Sequence, residues 1–288
     1  MTFFPIYVLA IVVILTAVVI FLKLRVRQRM STVLRVTLSL TFVFITFVAW
    51  WFVTSGDQIE LRVLPPIILP SPWEVLQAFP RLHFEQELMV SVLISFKRVT
   101  AGFLLAAIIA IPLGVYMAAF PPIAAFFRPL ALVSSYVPTI VFVPLTLAWW
   151  GTTETQKIGF LFIGCFVMLL PQVIKTIEDI PASYLDVALT KGATQWQLIY
   201  RVLLPVAKAD IWEQLRGVYG VGWNWIILAE VVNATNGLGY LISLSTKRGM
   251  TNNVFALVIV IVIVAFVCDY AWRIVGEWLF PYKEQEHS

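Results

Sequence analysis

The sequence predicts an all-α integral membrane protein, on three observations. Its 288 residues are 60% hydrophobic and only 12% charged, a balance far from that of ordinary soluble domains. The apolar residues gather in long charge-free windows, and a hydrocarbon core about 30 Å thick needs roughly 20 such residues in one helix. The 11 tryptophans suit the two membrane interfaces.

The windows give about seven transmembrane helices: residues 1–22, 36–56, 99–127, 129–153, 158–174, 217–234 (interrupted only by Glu230) and 249–268. Lys23, Arg25, Arg27, Arg29 and Arg35 lie between the first two spans without an acidic neighbour, so the positive-inside rule puts that linker in the cytoplasm and the N-terminus outside. A cleaved signal peptide would carry its charges before the apolar run, not after it. By alternation, residues 57–93 are external, 175–216 are cytoplasmic, and the C-terminus is cytoplasmic.

The organisation read from this is a single chain of four parts. Residues 1–30 are an N-terminal helix and basic linker, and 31–93 are the second span and a proline-rich external loop. Residues 94–276 are the membrane core, and 277–288 are a tail. In the external loop, Pro65, Pro66, Pro70 and Pro72 forbid a continuous helix, and Ser71 or Pro72 begins a short amphipathic one with Val75, Leu76 and Phe79 on its apolar side. Trp73 is expected near headgroup level. In "AGFLLAAIIAIPLG" the small residues Gly102, Ala106, Ala110 and Gly114 recur every four positions, a stripe against which another helix can pack closely. Cys165 and Cys268 each lie within an apolar run and are read as packing residues, with no metal site implied.

The most organised polar segment is 175–216. Pro181, Ser183 and Asp186 read as a helix start with a capping-box pattern, Leu185, Ala188 and Leu189 form its apolar stripe, and Gly192 ends it. Thr194 and Gln197 form a second box, Trp196, Ile199, Tyr200 and Leu203 share a face at helical spacing, and Pro205 is expected to close that helix. Two boxed helices around one glycine make a compact cytoplasmic knuckle.

The spacing of Asp186, Ala188, Gly192 and "VLLP" at 202–205 resembles the cytoplasmic "EAA" loop of binding-protein-dependent ABC importer permeases, with Asp186 and Val187 where that loop has Glu-Ala. Further stretches, "LPSPWEV", "SFKRVTAGFLLAAIIAIPLG", "YVPTIVFVPLTLAWWGTTETQKI" and "GLGYLI", resemble the branch serving nitrate, sulfonates, taurine and bicarbonate, over residues 69–275. The resemblance implies a six-span type I permease core, here with an extra N-terminal helix, and cytoplasmic coupling helices in a bacterial inner membrane. It implies that Asp186, Ala188, Leu189, Gly192, Trp196, Leu204 and Pro205 couple the chain to ATP-binding subunits. It also implies an external solute-binding protein and a second permease copy as partners. No Gly-x4-Gly-Lys-Ser/Thr loop occurs, so no cofactor is expected on this chain; ATP and Mg belong to the partner subunits, and the chain is not an enzyme by itself.

Two segments are candidates for lining a pathway. In "GVYGVGWNWIILAEVVNA", Trp223, Asn224 and Glu230 are polar or amphipathic groups in a marginally apolar span, which should face the bundle interior or a water-filled cavity; alternatively, Glu230 pairs structurally, for example with Lys247. In "SYVPTIVFVP", Pro138 and Pro144 break the helix and leave Tyr136, Pro138 and Thr139 at the break. A membrane enzyme is disfavoured, because the two histidines, His83 and His287, lie outside the spans with no metal or nucleophile constellation around them. A stand-alone secondary transporter would show an internal hydropathy repeat, which is absent, and a membrane scaffold would not need the Gly192 turn.

Overall fold

In a computed structural model the chain is described over residues 30–56 and 62–282, and it forms two compact units, Met1–Ser55 and Gly56–Ser288. The expected span 1–22, the linker up to Arg29 and His287 lie outside the described residues.

The described part of the first unit is one helix, α1 (Thr32–Thr54), capped by the Ser31 hydroxyl, which accepts from the Leu34 N–H. Its apolar side chains are exposed all round, as befits a helix solvated by lipid. The polar residues on it satisfy themselves: the Thr37, Ser39, Thr41 and Thr46 hydroxyls each donate to the carbonyl four residues back.

The second unit begins with α2 (Pro72–Phe84). Ser71 and Glu74 form a complete capping box with Pro72 in the first turn. Burial opposes ionisation of Glu74, but the Ser71 backbone N–H and Arg62 outweigh it and hold the carboxyl below its usual range. The buried face is Val75, Ala78 and Leu82, whereas Leu76 is exposed, which corrects the expected stripe of Val75, Leu76 and Phe79. The reason is that α2 packs on other helices of the unit, so the face is set by protein contact and not by a membrane surface.

The core follows as α3 (Leu88–Ala119), α4 (Pro121–Tyr136), a 3₁₀ turn (Thr139–Val141), α5 (Phe142–Trp150) and α6 (Glu154–Glu178). After these come α7 (Ala182–Thr190), α8 (Gln195–Leu198), α9 (Leu204–Asn233), α10 (Leu238–Lys247) and α11 (Thr251–Leu279). Four helices among the described residues are long and apolar enough to cross a membrane: α1, α3, α6 and α11. The expected span 129–153 is instead the broken series α4, 3₁₀ turn, α5. Pro138 takes an extended conformation and Pro144 falls in the first turn of α5, where its missing N–H costs nothing. The expected span 217–234 is the second half of the 30-residue α9, whose first half carries Lys208, Asp210, Glu213 and Arg216.

Glycine contacts fix the directions of packing. A Cβ at Gly102 would come within 2.5 Å of the Leu161 Cβ and 3.0 Å of the Ile158 carbonyl oxygen, and one at Gly114 within 2.7 Å of Val173. α3 and α6 therefore run parallel along the predicted small-residue stripe, in which Ala106 and Ala110 are also fully buried. Tyr219 reaches Thr100 and Tyr200 reaches Tyr116, so α9 runs antiparallel to α3. Arg216 holds Asp269 bidentately at 2.7 and 2.8 Å, and Trp212 donates to the Trp272 carbonyl, which sets α11 antiparallel to α9. Cys165 is fully buried, and neither cysteine is in a disulfide.

The Gly102 contact yields a prediction. Gly102→Leu forces α3 away from α6 and is expected to cost about 1–3 kcal/mol as an overpacked site. Gly217→Ala, whose added methyl meets nothing within 4 Å inside a helix, is the control that does not lower stability and is expected to raise it by up to about 1 kcal/mol. Thermal unfolding in mild detergent measures both.

Candidate functional site

The knuckle predicted between Pro181 and Pro205 is present, with two differences from expectation. Pro181, at φ −56° and ψ 133°, takes the N-cap position of α7, so Ser183 falls inside the first turn and no side-chain cap forms. The expected box at Ser183 and Asp186 is therefore absent. Gly192 does end α7, at φ +79°, with its N–H donating to Leu189 and the Ala193 N–H to Ala188. These two bonds are a Schellman turn, which needs a left-handed residue at the position of Gly192. The second box is complete: Thr194 accepts from the Gln197 N–H, and Gln197 accepts from the Thr194 N–H.

Pro205 does not close the second helix. Residues Ile199–Leu203 form a π turn in which the Leu204 N–H donates to the Ile199 carbonyl, and the chain runs on into α9 with Pro205 in its first turn. The wider turn accommodates a proline that has no N–H to give to the preceding turn. The second helix of the knuckle and a 30-residue core helix are thus one continuous rod.

Its expected apolar face splits in two. Ile199 and Leu203 are buried, while Trp196 and Tyr200 stack on each other with ring centroids 6.2 Å apart and reach Tyr116 and Phe120 at the end of α3. The Tyr116 and Tyr200 hydroxyls are 3.1 Å apart. Behind the knuckle lies a cavity of about 350 Å³ lined by Phe120, Ile177, Leu185, Leu198 and Leu203 among others. α7 itself has no buried residue: Asp186, Leu189 and Gly192 are exposed and Ala188 is half-buried, and Tyr184 and Val187 add exposed apolar surface. Leu204 is half-buried and Pro205 exposed at the start of α9.

At the opposite end of the helices sits a buried charge cluster. Glu230 on α9 is fully buried; its carboxylate accepts from Arg98 Nη1 at 2.7 Å, from the Ser95 hydroxyl at 2.8 and 2.9 Å, and from the Gly239 N–H at 2.8 Å. Arg98 on α3 also binds Glu154, the first residue of α6, through Nε at 2.6 Å and Nη2 at 2.5 Å. The carbonyl and side-chain oxygens of Asn236 take the remaining donors at 2.9 and 2.5 Å. Every N–H of the guanidinium is thereby used. Lys157, also buried, lies 3.1 Å from Glu154.

The "GLG" stretch exists for this carboxylate. Gly237 has φ +106°, and a Cβ on it would collide with the Glu230 carboxylate; a Cβ on Gly239 would come within 2.6 Å of the Glu230 Cβ. Leu238, between them, donates its N–H to Ser95 at 2.9 Å.

The pathway candidates lie in different surroundings. Glu230 faces Arg98 rather than an open cavity, and its partner is not Lys247, which is exposed at the end of α10. Trp223 is buried against Phe96, with no hydrogen-bond partner for its indole N–H among the described residues. Asn224, Tyr136 and Pro138 are exposed, and the Thr139 methyl lies beside Gly164. No group of three or more His, Cys, Asp or Glu residues that could hold a metal occurs among the described residues.

Comparison with known proteins meets this geometry. Residues 110–281 match the family described as "Binding-protein-dependent transport system inner membrane component". The chain belongs to that family. The permease is 30% identical to a candidate ABC transporter permease of Methanocaldococcus jannaschii, covering 81% of this chain and 89% of the relative. It is 27% identical to the taurine transport system permease protein of Escherichia coli, over 90% and 94% of the two chains. To the nitrate import permease protein of Synechococcus elongatus it is 28% identical, over 68% and 72%. Its fold is similar to that of a chain of the MetNI methionine ABC transporter, with TM-score 0.59 and 18% identity over 66% of the permease and 94% of that chain.

Sequence reasoning about the permease missed Ser95, Arg98, Glu154, Lys157 and Asn236. A signal existed for Arg98: Lys97 and Arg98 interrupt the apolar run of one long helix as Glu230 interrupts that of another, and such charges are costly in lipid unless opposite ones meet. Removing the arginine strands the enclosed carboxylate, because Arg98 is the cation paired with Glu230. Arg98→Met is expected to destabilise the permease by about 3–5 kcal/mol, while Arg98→Met with Glu230→Leu recovers most of that loss. A double-mutant cycle on thermal stability in detergent checks the coupling.

Proposed function

We propose that this permease is the membrane subunit of an ATP-driven importer for a small oxyanion of the sulfonate, nitrate or bicarbonate kind. The solute is handed over by an external binding protein, and α7 seats in a groove of a cytoplasmic ATP-binding subunit. Two permease copies enclose the route. The knuckle end is then cytoplasmic, the charge-cluster end external, the N-terminus outside and the C-terminus inside. ATP and Mg bind to the partner subunits, which hydrolyse the nucleotide.

One observation carries this reading: an exposed helix, α7, is fixed by a glycine turn to a rod that continues into the membrane core. Exposed Tyr184, Val187 and Leu189 give α7 apolar surface for a protein groove, and Asp186 and Lys191 flank it with charge. A push on α7 passes through the Schellman turn and π turn into α9, so the core can rock between two states without the knuckle unfolding. The relatives that import taurine and nitrate support the class of solute.

The deciding experiment is co-purification of the tagged permease in mild detergent, with partners identified by mass spectrometry. An ATP-binding subunit is expected with the unmodified chain and lost with Asp186→Arg; recovery of none from intact permease would sink the reading. In proteoliposomes with its partners, Gly192→Val is expected to abolish solute-stimulated ATP hydrolysis while the membrane core stays folded, because the side chain meets no atom within 4 Å and its cost, about 1–2 kcal/mol for a left-handed residue, falls on the turn. Gly192→Asn, which tolerates the left-handed conformation, should keep most of the coupling. Equal coupling in Gly192→Val and the parent would remove the turn from the mechanism.

A further inference from the structure

The charge cluster is not uniform. Arg98 and Lys157 are buried, with 3% and 4% of their side chains exposed, and Glu230 is wholly enclosed. Glu154 alone is open, with 59% of its side chain exposed. Glu230 is fixed from several sides, by Ser95, Arg98 and the Gly239 N–H. Glu154 is held only through its carboxylate, by Arg98 and Lys157.

Two buried cations therefore present donors towards the exposed side, and the group that fills them is a planar oxyanion on a short side chain. Arg98 offers Nε and Nη2 as a parallel pair, the arrangement that matches two oxygens of a carboxylate, sulfonate or nitrate. Lys157 adds a third donor to one of those oxygens. With Glu154 in place the four charged groups sum to zero. With its carboxylate swung out, the site keeps one net positive charge in a poorly hydrated setting, which favours one monovalent anion.

We propose that Arg98 and Lys157 form an oxyanion-binding site at the external mouth of the permease, for which Glu154 is a resident, displaceable occupant. A monovalent oxyanion with at least two oxygens in one plane takes the place of the Glu154 carboxylate, and Glu154 returns when the anion moves on. This rests on the reading of the chain as an oxyanion importer and gives that route its first station. Glu230 stays in position throughout and keeps Arg98 aimed.

The test uses thermal unfolding of the purified permease in detergent, with sodium methanesulfonate, nitrate or chloride at matched ionic strength. In the unmodified chain, methanesulfonate and nitrate must compete with Glu154 and stabilise only at high concentration. In Glu154→Ala the competitor is gone, and half-maximal stabilisation is expected at a concentration at least about tenfold lower. Chloride, lacking paired oxygens, should give no such gain, and Lys157→Met in the Glu154→Ala background should reduce it. Should Glu154→Ala not fold, Glu154→Gln, neutral and of the same shape, takes its place with the same direction of change. An oxyanion response in Glu154→Ala or Glu154→Gln equal to that of the unmodified chain, or one matched by chloride, overturns the proposal. No ATP-binding subunit is needed, so this outcome is independent of the co-purification result.

Discussion

A guanidinium and a carboxylate cannot be left alone in a membrane protein's interior, and much of the second unit is arranged around satisfying one such pair. Arg98 has a partner for every N–H, and Glu230 takes hydrogen bonds on both oxygens. Meeting that demand recruits the start of α6 through Glu154, the α9–α10 connection through Asn236, and α3 through Ser95. It also fixes two glycines, because only a residue without a side chain lets the backbone at 237 and 239 close over the carboxylate. The ion pair thus acts as a geometric specification for one end of the bundle more than as a source of net stability.

The other end is built on a different principle. There the knuckle rests on stacked and edge-on aromatic rings, with a cavity of about 350 Å³ behind it and a wider π turn within the rod. Directional charge–charge bonds hold Arg98 and Glu230 in a single arrangement at one end. Rings over a cavity allow the other to shift by small steps at low cost.

Between the ends, close backbone approach does the packing. The stripe from Gly102 to Gly114 lets Leu161 and Val173 of α6 sit directly on the α3 backbone, and Gly276 admits the Trp212 ring between α9 and α11. Such contacts replace the hydrophobic drive that is missing between helices already surrounded by apolar lipid. The placement of Arg98 next to Glu154 depends on that close parallel approach, so the small-residue stripe and the charge cluster are linked through α6.

The sequence by itself determined the membrane class, the small-residue stripe, the Ser71 and Thr194 caps, the Gly192 turn and the family. Each of these is written in local composition or in spacings of a few residues. It misread Pro205 as a stop, because a π turn is decided by how the rod seats against α3 and not by the proline alone. It misplaced the start of α7, where Pro181 rather than Ser183 flanks the helix. Only the tertiary structure decided that Glu230 belongs to Arg98, 132 positions away, and that Glu154, 56 positions from Arg98, completes the cluster. Pairing across such distances follows from which helices run parallel and at what register, and no local pattern of residues carries that information.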